Sequence, residues 1–430
     1  MMNYLLSVSE NTGLTTDVCG LSVVTITFDI SISEIFLPLI NGGTLVVAVD
    51  DVTKDGELLL ELLEQEKINL MGFTPSTAYM LLDAGWSKAD GMKLLIGGEA
   101  WNMELAEKLL GLGCSQLWNM YGPTETTIYS AMAQVHSGDS YIPIGQPIGD
   151  TVLYVLDENM QPVEKGQEGE LYIGGIGVAK GYLHREDLTK ERFLPDPFMN
   201  GGRIYKTGDL VKLVATGEIV YISRLDFQVK VRGYRIELGE IETALARHKK
   251  VAQAVVVLRN EQRDAILCAF VKAIDGTTLL SEELRDYLKG VLPYYMIPNT
   301  FSLVKEFPLT PNKKVDRKAL MAALESEPLS ENYVAPSNEI EIGIAKLWEE
   351  LLGVHPVGIK DDFLELGGHS LLANRLLNRI NKMFGSSVRL IELFAADLTV
   401  EEMAHTVEDN LIGSLSDEEL ASLLGDIEEE

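Results

Sequence analysis

Cysteine is scarce in these 430 residues: Cys19, Cys114 and Cys268 are scattered, without metal-ligand or disulfide spacing. That pattern argues against a disulfide scaffold and points to a reducing compartment, the cytoplasm. Positive charge is also short, with 36 Lys and Arg against 65 Asp and Glu and a formal net charge of −29. So acidic a surface repels phosphate backbones and anionic lipid, which argues against nucleic acid and membrane surfaces as partners. No apolar run approaches the ~20 residues of a spanning helix, and no basic stretch with a signal-type core opens the chain. Walker and dinucleotide glycine spacings are missing: GGIGVAKG at 174–181 fits neither and reads as a strand-edge turn. What is present is a 46% apolar composition, enough for full globular cores in two or three units of ~100–200 residues.

From Ser22 to Asn119 short β-branched runs alternate with longer helical ones. SVVTIT (22–27), TLVVAV (44–49), INLMGF (68–73) and KLLIGG (93–98) read as buried strands, with helical SEIFLPLI, ELLLELLEQE and STAYMLLDAG between them. That alternation predicts a parallel sheet covered on both faces, with ligands beyond the carboxyl ends of its strands. Between Ile142 and Tyr221 short strands with Gly turns suggest a small barrel-like β unit. A second α/β pattern runs from Phe227 to Leu324, with helices from Leu238 and Ser281. The polar, proline-bearing stretch 325–338 reads as a linker. Helical segments come next, from 339–353 onward, and an acidic ending that is a short helix or a frayed tail.

Five segments carry candidate chemistry. In YGPTETT (121–127) a Gly-Pro turn after the strand CSQLWNM puts Thr124 and Glu125 at a strand's carboxyl end. A hydroxyl beside a carboxylate there can hold a phosphate oxygen and a hydrated Mg²⁺; alternatively Thr124 is a helix cap. YKTGDL (205–210) places Asp209 after a tight turn at a strand start, as a ribose acceptor or a plain β-turn residue. SRLDFQVKVRGYRIELGEIE (223–242) is dense in opposed charges, including Arg224, Asp226, Lys230 and Arg235. It reads as a strand, a turn at Gly233 and a helix led by acids, either a solvated hairpin or a hinge. LTPNKKVDRKAL (309–320) sets Lys314 before a helix opened by Asp316, a weak signal alone. LGGHSLLANRLLNRI (366–380) is the most specific: glycines lead to His369 and Ser370, then Leu371, Leu372, Leu376, Leu377 and Ile380 trace one helix face. Ser370 at a helix start suits a phosphodiester, because unpaired amides and the helix dipole favour an anion there. An ordinary Ser N-cap is the plain alternative, and the preceding Asp361-Asp362-Phe363 weighs towards modification.

These segments, in this order, resemble the adenylate-forming superfamily, specifically nonribosomal peptide synthetases. FDIS, NMYGPTE, GELYIGGIGVAKGYL, YKTGDL, RLDFQVKVRGYRIELGEIE, LPYYMIP and NKKVDR match its later core motifs, and LGGHSL its carrier motif. The resemblance implies an α/β fold: part of an adenylation large domain (parallel sheet plus small β-barrel) over 1–225 and a small α+β lid over 226–325. A linker at 326–335, a four-helix-bundle carrier over 336–411 and an acidic tail at 412–430 would complete the chain.

For the site, the resemblance implies that Asp29 pairs with a substrate α-ammonium while Phe28 borders the phosphate path. Thr124 and Glu125 would address phosphates and Mg²⁺, Asp209 the ribose and Arg224 the nucleotide sugar region, with Tyr121 also cofactor-binding. Asp226 would be the hinge, Lys230 would face the thioester-forming state, and Lys314 would contact the carboxylate and α-phosphate. Substrate-pocket positions match Asp29, Ile30, Ser33, Gly72, Leu95, Gly97, Met120, Ile128, Tyr129 and Lys314. Apart from the ionic ends they are neutral, so a neutral α-amino acid is expected, with small Ser33, Gly72 and Gly97 leaving room. The implied reaction is amino acid plus ATP giving aminoacyl-AMP and pyrophosphate, then transfer of the aminoacyl group to a 4′-phosphopantetheine thiol on Ser370 with release of AMP. A phosphopantetheinyl transferase and neighbouring condensation or thioesterase domains would be its partners. Two departures are Ser223 and Lys313, where the family has glycine. The family's phosphate loop upstream of FDIS is also missing, so ligase activity is expected when that part is supplied and an apolar sheet edge is expected without it. The alternative is a non-catalytic carrier with a vestigial adenylation part.

Overall fold

The computed structural model describes residues 1–413 except 227, 232–233, 261–264, 275–276, 278, 309–314, 325–333, 353, 355, 364–365, 367, 369 and 394–397. The chain divides into two compact units, Met1–Ile236 and Glu237–Glu430.

In the first unit β1 (Cys19–Ser22), β2 (Thr44–Val47), β3 (Leu70–Phe73), β4 (Lys93–Gly97) and β5 (Gln116–Tyr121) are parallel, in the order β2-β1-β3-β4-β5. β6 (Ala131–Gln134) and β7 (Gln146–Pro147) extend the sheet antiparallel beyond β5. The intervening helices start where short polar side chains satisfy free amides. Asp55 accepts from Glu57 and Leu58 ahead of Gly56–Gln65, Thr74 caps Pro75–Asp83, and Asn102 caps Met103–Leu110. β2 is the outer strand, with Val47 67% exposed.

The run 22–27 is a correction. The strand is Cys19–Ser22, and the chain turns directly after it. The reason is Glu34, whose Oε2 accepts from the Ser22 hydroxyl and from the amides of Val23 and Val24 at 3.0–3.1 Å. Those amides bond to a side chain instead of a neighbouring strand, and β-branched composition alone does not reveal that.

β8 (Thr151–Leu156), β9 (Glu168–Gly175), β10 (Phe193–Pro195), β11 (Arg203–Leu213) and β12 (Ile219–Arg224) form an antiparallel sheet in which β11 pairs with β9, β10 and β12. Asp209 was expected at a strand start after a tight turn. It lies inside β11, where pairing to β9 slips between Lys206 and Leu210. Such a bulge re-aims a side chain without ending the strand. β13 (Gln228–Val231) pairs with β14 (Tyr234–Glu237); Phe227 and the turn expected at Gly233 lie outside the described residues.

In the second unit β15 (Val251–Asn260) and β16 (Ala265–Ala273) are antiparallel and β17 (Thr300–Leu303) joins β16 in parallel. Helices Leu238–Ala246, Ser281–Lys289 and Arg317–Leu324 accompany them. Asp316 accepts from the amides of Lys318 and Ala319, capping the last of these as expected. Helices Glu339–Leu352, Ser370–Phe384, Leu390–Leu393 and Val400–Gly413 enclose a separate core around Trp348 and Phe363, whose rings meet edge-on at 5.0 Å. Leu372, Leu376, Leu377 and Ile380 bury on it as their periodicity predicts. Leu371's side chain, most of the linker and the ending SDEELASLLGDIEEE lie outside the described residues. Among the described residues no helix is long and apolar enough to cross a membrane.

Candidate functional site

The carboxyl ends of β3, β4 and β5 bring together most of the pocket positions. Ile30, Leu95, Met120, Ile128 and Tyr129 are all buried in one cluster, with Phe28 against it. Asp29 is half-buried beside them, and its Oδ2 accepts from the Thr124 hydroxyl at 2.6 Å, across 95 residues of sequence. Thr124 is therefore not the helix cap of the alternative reading: the 3₁₀ turn Thr124–Thr126 is preceded by Pro123 and has no side-chain cap.

The loop after β5 is tightly folded. A Cβ on Gly122 would lie 2.5 Å from the Tyr129 Cα, so only glycine permits the approach. Thr127 and Ile128 both take φ near +71°, a left-handed conformation costing β-branched residues about 1–3 kcal/mol each. The strain turns Tyr129 inward, where its hydroxyl lies 2.6 Å from the position of a Cβ on Gly97. The Ser33 hydroxyl is bonded to that of Tyr4, on helix Met2–Thr12, at 2.5 Å. The room expected at Ser33 and Gly97 is thus filled by two tyrosines of the chain itself. Gly72 keeps space, the nearest atom to its notional Cβ being Glu34 Cγ at 3.8 Å.

Glu125 is 8% exposed, with both oxygens engaged. Tyr182 donates to Oε1 at 2.5 Å and Arg235 to Oε2 at 2.7 Å, while Arg235 also reaches the Tyr205 hydroxyl at 3.3 Å. Burial by itself raises the Glu125 pKa, but the Arg235 charge and the Tyr182 hydroxyl outweigh it and hold the carboxyl below its ordinary value. Among the described residues no group of three or more His, Cys, Asp or Glu could hold a metal. One carboxylate at a strand end suits Mg²⁺ that keeps its water and arrives on phosphate oxygens, and it does not suit a protein cage.

Asp209 Oδ1 accepts from Arg224 at 2.9 Å, and its Oδ2 accepts from the Tyr121 hydroxyl. Arg224 also forks onto Asp226 at 2.7 and 2.8 Å, and Arg192 approaches Asp226 at 3.4 Å. Burial pushes the Asp226 pKa up, and the Arg224 fork more than reverses this. Lys230 is exposed on β13. Lys314 lies outside the described residues, as do His369 and the side chain of Ser370. The Ser370 backbone begins helix Ser370–Phe384. Two residues earlier a Cβ on Gly368 would come within 2.4 Å of the Phe363 ring and carbonyl, and the Gly368 amide donates to that carbonyl at 2.7 Å.

Five participants were not singled out in the sequence: Tyr4, Glu34, Tyr182, Arg192 and Tyr205. Arg235 was noted only as one charge in a dense run, and nothing in spacing shows that it returns to a residue 110 positions earlier. Glu34 is 4% exposed, and burial lifts its pKa from 4.5 to about 7 despite three lowering hydrogen bonds. A raised carboxyl costs stability as pH climbs from its unfolded to its folded pKa. Denaturant titrations should therefore show Glu34→Gln gaining roughly 2–3 kcal/mol on wild type between pH 5 and pH 8. A pH-independent difference would contradict the buried, half-ionised acid.

Three family models match the chain: AMP-binding enzyme over 1–183, AMP-binding enzyme C-terminal domain over 240–314, and phosphopantetheine attachment site over 343–407. The dimodular nonribosomal peptide synthase of Bacillus subtilis is 44% identical over 94% of this chain, which spans 17% of that relative's length. A solved four-domain nonribosomal peptide synthetase bound to AMP and glycine is 43% identical over 95% of this chain and 31% of its own, with TM-score 0.51. A second solved protein, containing adenylation and peptidyl carrier domains, is 26% identical over 92% of this chain and 66% of its own, with TM-score 0.76. The chain belongs to the adenylate-forming family in its nonribosomal-peptide-synthetase branch, an adenylation domain followed by a carrier domain.

Proposed function

We propose that the chain activates a neutral α-amino acid as its adenylate and carries it on Ser370, as one cytoplasmic segment of a longer assembly line. What carries this reading is that Thr124 and Glu125, in the loop after β5, meet Asp29 and Arg235, while Asp209 in β11 meets Arg224 in β12, so that each anion already has a donor from another segment. A site that self-pairs its charges is preorganised to exchange those donors for an ammonium, phosphates and a ribose.

Asp29 takes the substrate ammonium, releasing the Thr124 hydroxyl to a phosphate oxygen. Asp209 accepts from ribose hydroxyls while Arg224 keeps it aimed, and Tyr121 flanks it. Glu125 holds the cation that accompanies ATP; Mg²⁺ there would supply charge neutralisation for the phosphates. Lys314 stabilises charge as the carboxylate attacks phosphorus, and Lys230 serves the second half-reaction after a swing about Asp226. The 4′-phosphopantetheine on Ser370 supplies the thiol that receives the aminoacyl group. A phosphopantetheinyl transferase installs that arm, and condensation or thioesterase neighbours consume what it carries.

Amino-acid-dependent ATP–pyrophosphate exchange tests the reading. Neutral amino acids should support exchange and Asp209→Ala should cut it about 100-fold, in line with losing a charged ligand contact. Preferred exchange with Asp or Lys would contradict a neutral pocket. No exchange with any amino acid, together with intact phosphopantetheinylation, would leave a carrier without catalysis.

A further inference from the structure

We propose that Tyr4, on helix Met2–Thr12, is a specificity-determining residue that sets the floor of the amino-acid pocket and, with Tyr129, restricts it to glycine and alanine. The proposal rests on the adenylation reading above and narrows its substrate class.

Two of the three small positions of the pocket are closed by tyrosines, and the third keeps a limited space. At Ser33 the hydroxyl is taken by Tyr4, 2% exposed, through the 2.5 Å bond. At Gly97 the missing side chain is replaced by the Tyr129 phenol, with the Met120 carbonyl oxygen 2.7 Å from the same notional Cβ. Beside Gly72 the space is one methyl deep before Glu34 Cγ at 3.8 Å. The two tyrosine rings also brace one another, centroids 6.0 Å apart and planes at 59°. Tyr4 therefore holds Tyr129 as well as filling its own side. Both phenols sit within the field of Asp29: burial raises both pKa values first, and the Asp29 charge raises them further. An ammonium anchored on Asp29 would thus lie near both buried phenols. A buried phenol with its hydroxyl bonded resists displacement better than a flexible aliphatic chain, since leaving Ser33 strands two polar groups.

Isothermal titration of the full chain with sulfamoyl-adenosine mimics of glycyl, alanyl, leucyl and phenylalanyl adenylates tests this without turnover. Wild type should bind the glycyl and alanyl mimics at least tenfold more tightly than the leucyl one, the scale on which pockets discriminate methylenes being about 10–200-fold. Tyr4→Ala should shift the glycyl-to-leucyl ratio towards leucyl by about tenfold or more, while Tyr4→Phe, which keeps the ring, should shift it less than about threefold. Tyr4→Leu serves if the alanine variant melts early, and should shift the ratio in the same direction. An unchanged ratio in a variant that melts like wild type would overturn the role of Tyr4. Equal wild-type affinity for glycyl and phenylalanyl mimics would overturn the size restriction. Failure of wild type to bind any mimic would overturn the adenylation reading itself, and this inference with it.

Discussion

Ser370→Ala is expected to abolish the mass gain of one phosphopantetheine that coenzyme A and a phosphopantetheinyl transferase give the wild-type chain, with no residual labelling in intact-mass spectra. The expectation starts from the helix that begins at this residue. Its first amides have no partner within the helix, so a phosphodiester on Ser370 meets both donors and the positive end of the dipole. The approach is fixed from behind: Gly368 lies on the Phe363 ring, and Phe363 packs against Trp348 in the buried core of the bundle. The backbone of Ser370 thus opens a 15-residue helix. Alanine at a helix start costs about 1 kcal/mol, too little to unfold the bundle, so loss of labelling would report the lost hydroxyl. Persistent labelling of Ser370→Ala would place the arm on another residue and remove Ser370 as its attachment point.

The second large effect is on Glu125. Glu125→Ala should destabilise the protein by about 3 kcal/mol, because among the described residues it leaves the Arg235 guanidinium with the Tyr205 hydroxyl alone. Its side chain is 30% exposed and the Glu125 side chain 9%, so water relieves part of the penalty. Glu125→Gln keeps the shape and an acceptor and should lose about half as much. The pH dependence follows from the lowered Glu125 pKa. The pair's contribution is complete above the ordinary carboxyl pKa and disappears as acid protonates the folded form. Wild type and Glu125→Gln should therefore converge in urea midpoints on acidification. Parallel profiles down to strong acid would mean that Arg235 stabilises nothing through this contact. The same variants should need more Mg²⁺ for nucleotide binding, measured with a fluorescent ATP analogue.

The parallel order β2-β1-β3-β4-β5 agrees with the strand–helix alternation from Ser22 to Asn119, since apolar period and run length report burial. The bundle helices at Glu339–Leu352 and Ser370–Phe384 were legible for the same reason. Local chemistry misled at two places. The β-branched run 22–27 became a turn because Glu34 claims its amides, and Asp209 entered a strand through a bulge. In each case the deciding partner sits elsewhere in the chain, which a local window does not contain.

The order of motifs and the type of side chain at each candidate position came from the sequence alone, because turns, helix starts and apolar periods are short-range properties of the backbone. Tertiary structure decided which distant group meets which: Thr124 with Asp29, Arg224 with Asp209, Arg235 with Glu125. It also decided that Tyr4 and Tyr129 occupy space that small residues had left. Such pairings depend on where separate segments meet in space, and burial strengthens the Arg224–Asp209 and Arg235–Glu125 pairs by excluding water that would otherwise compete for each charge.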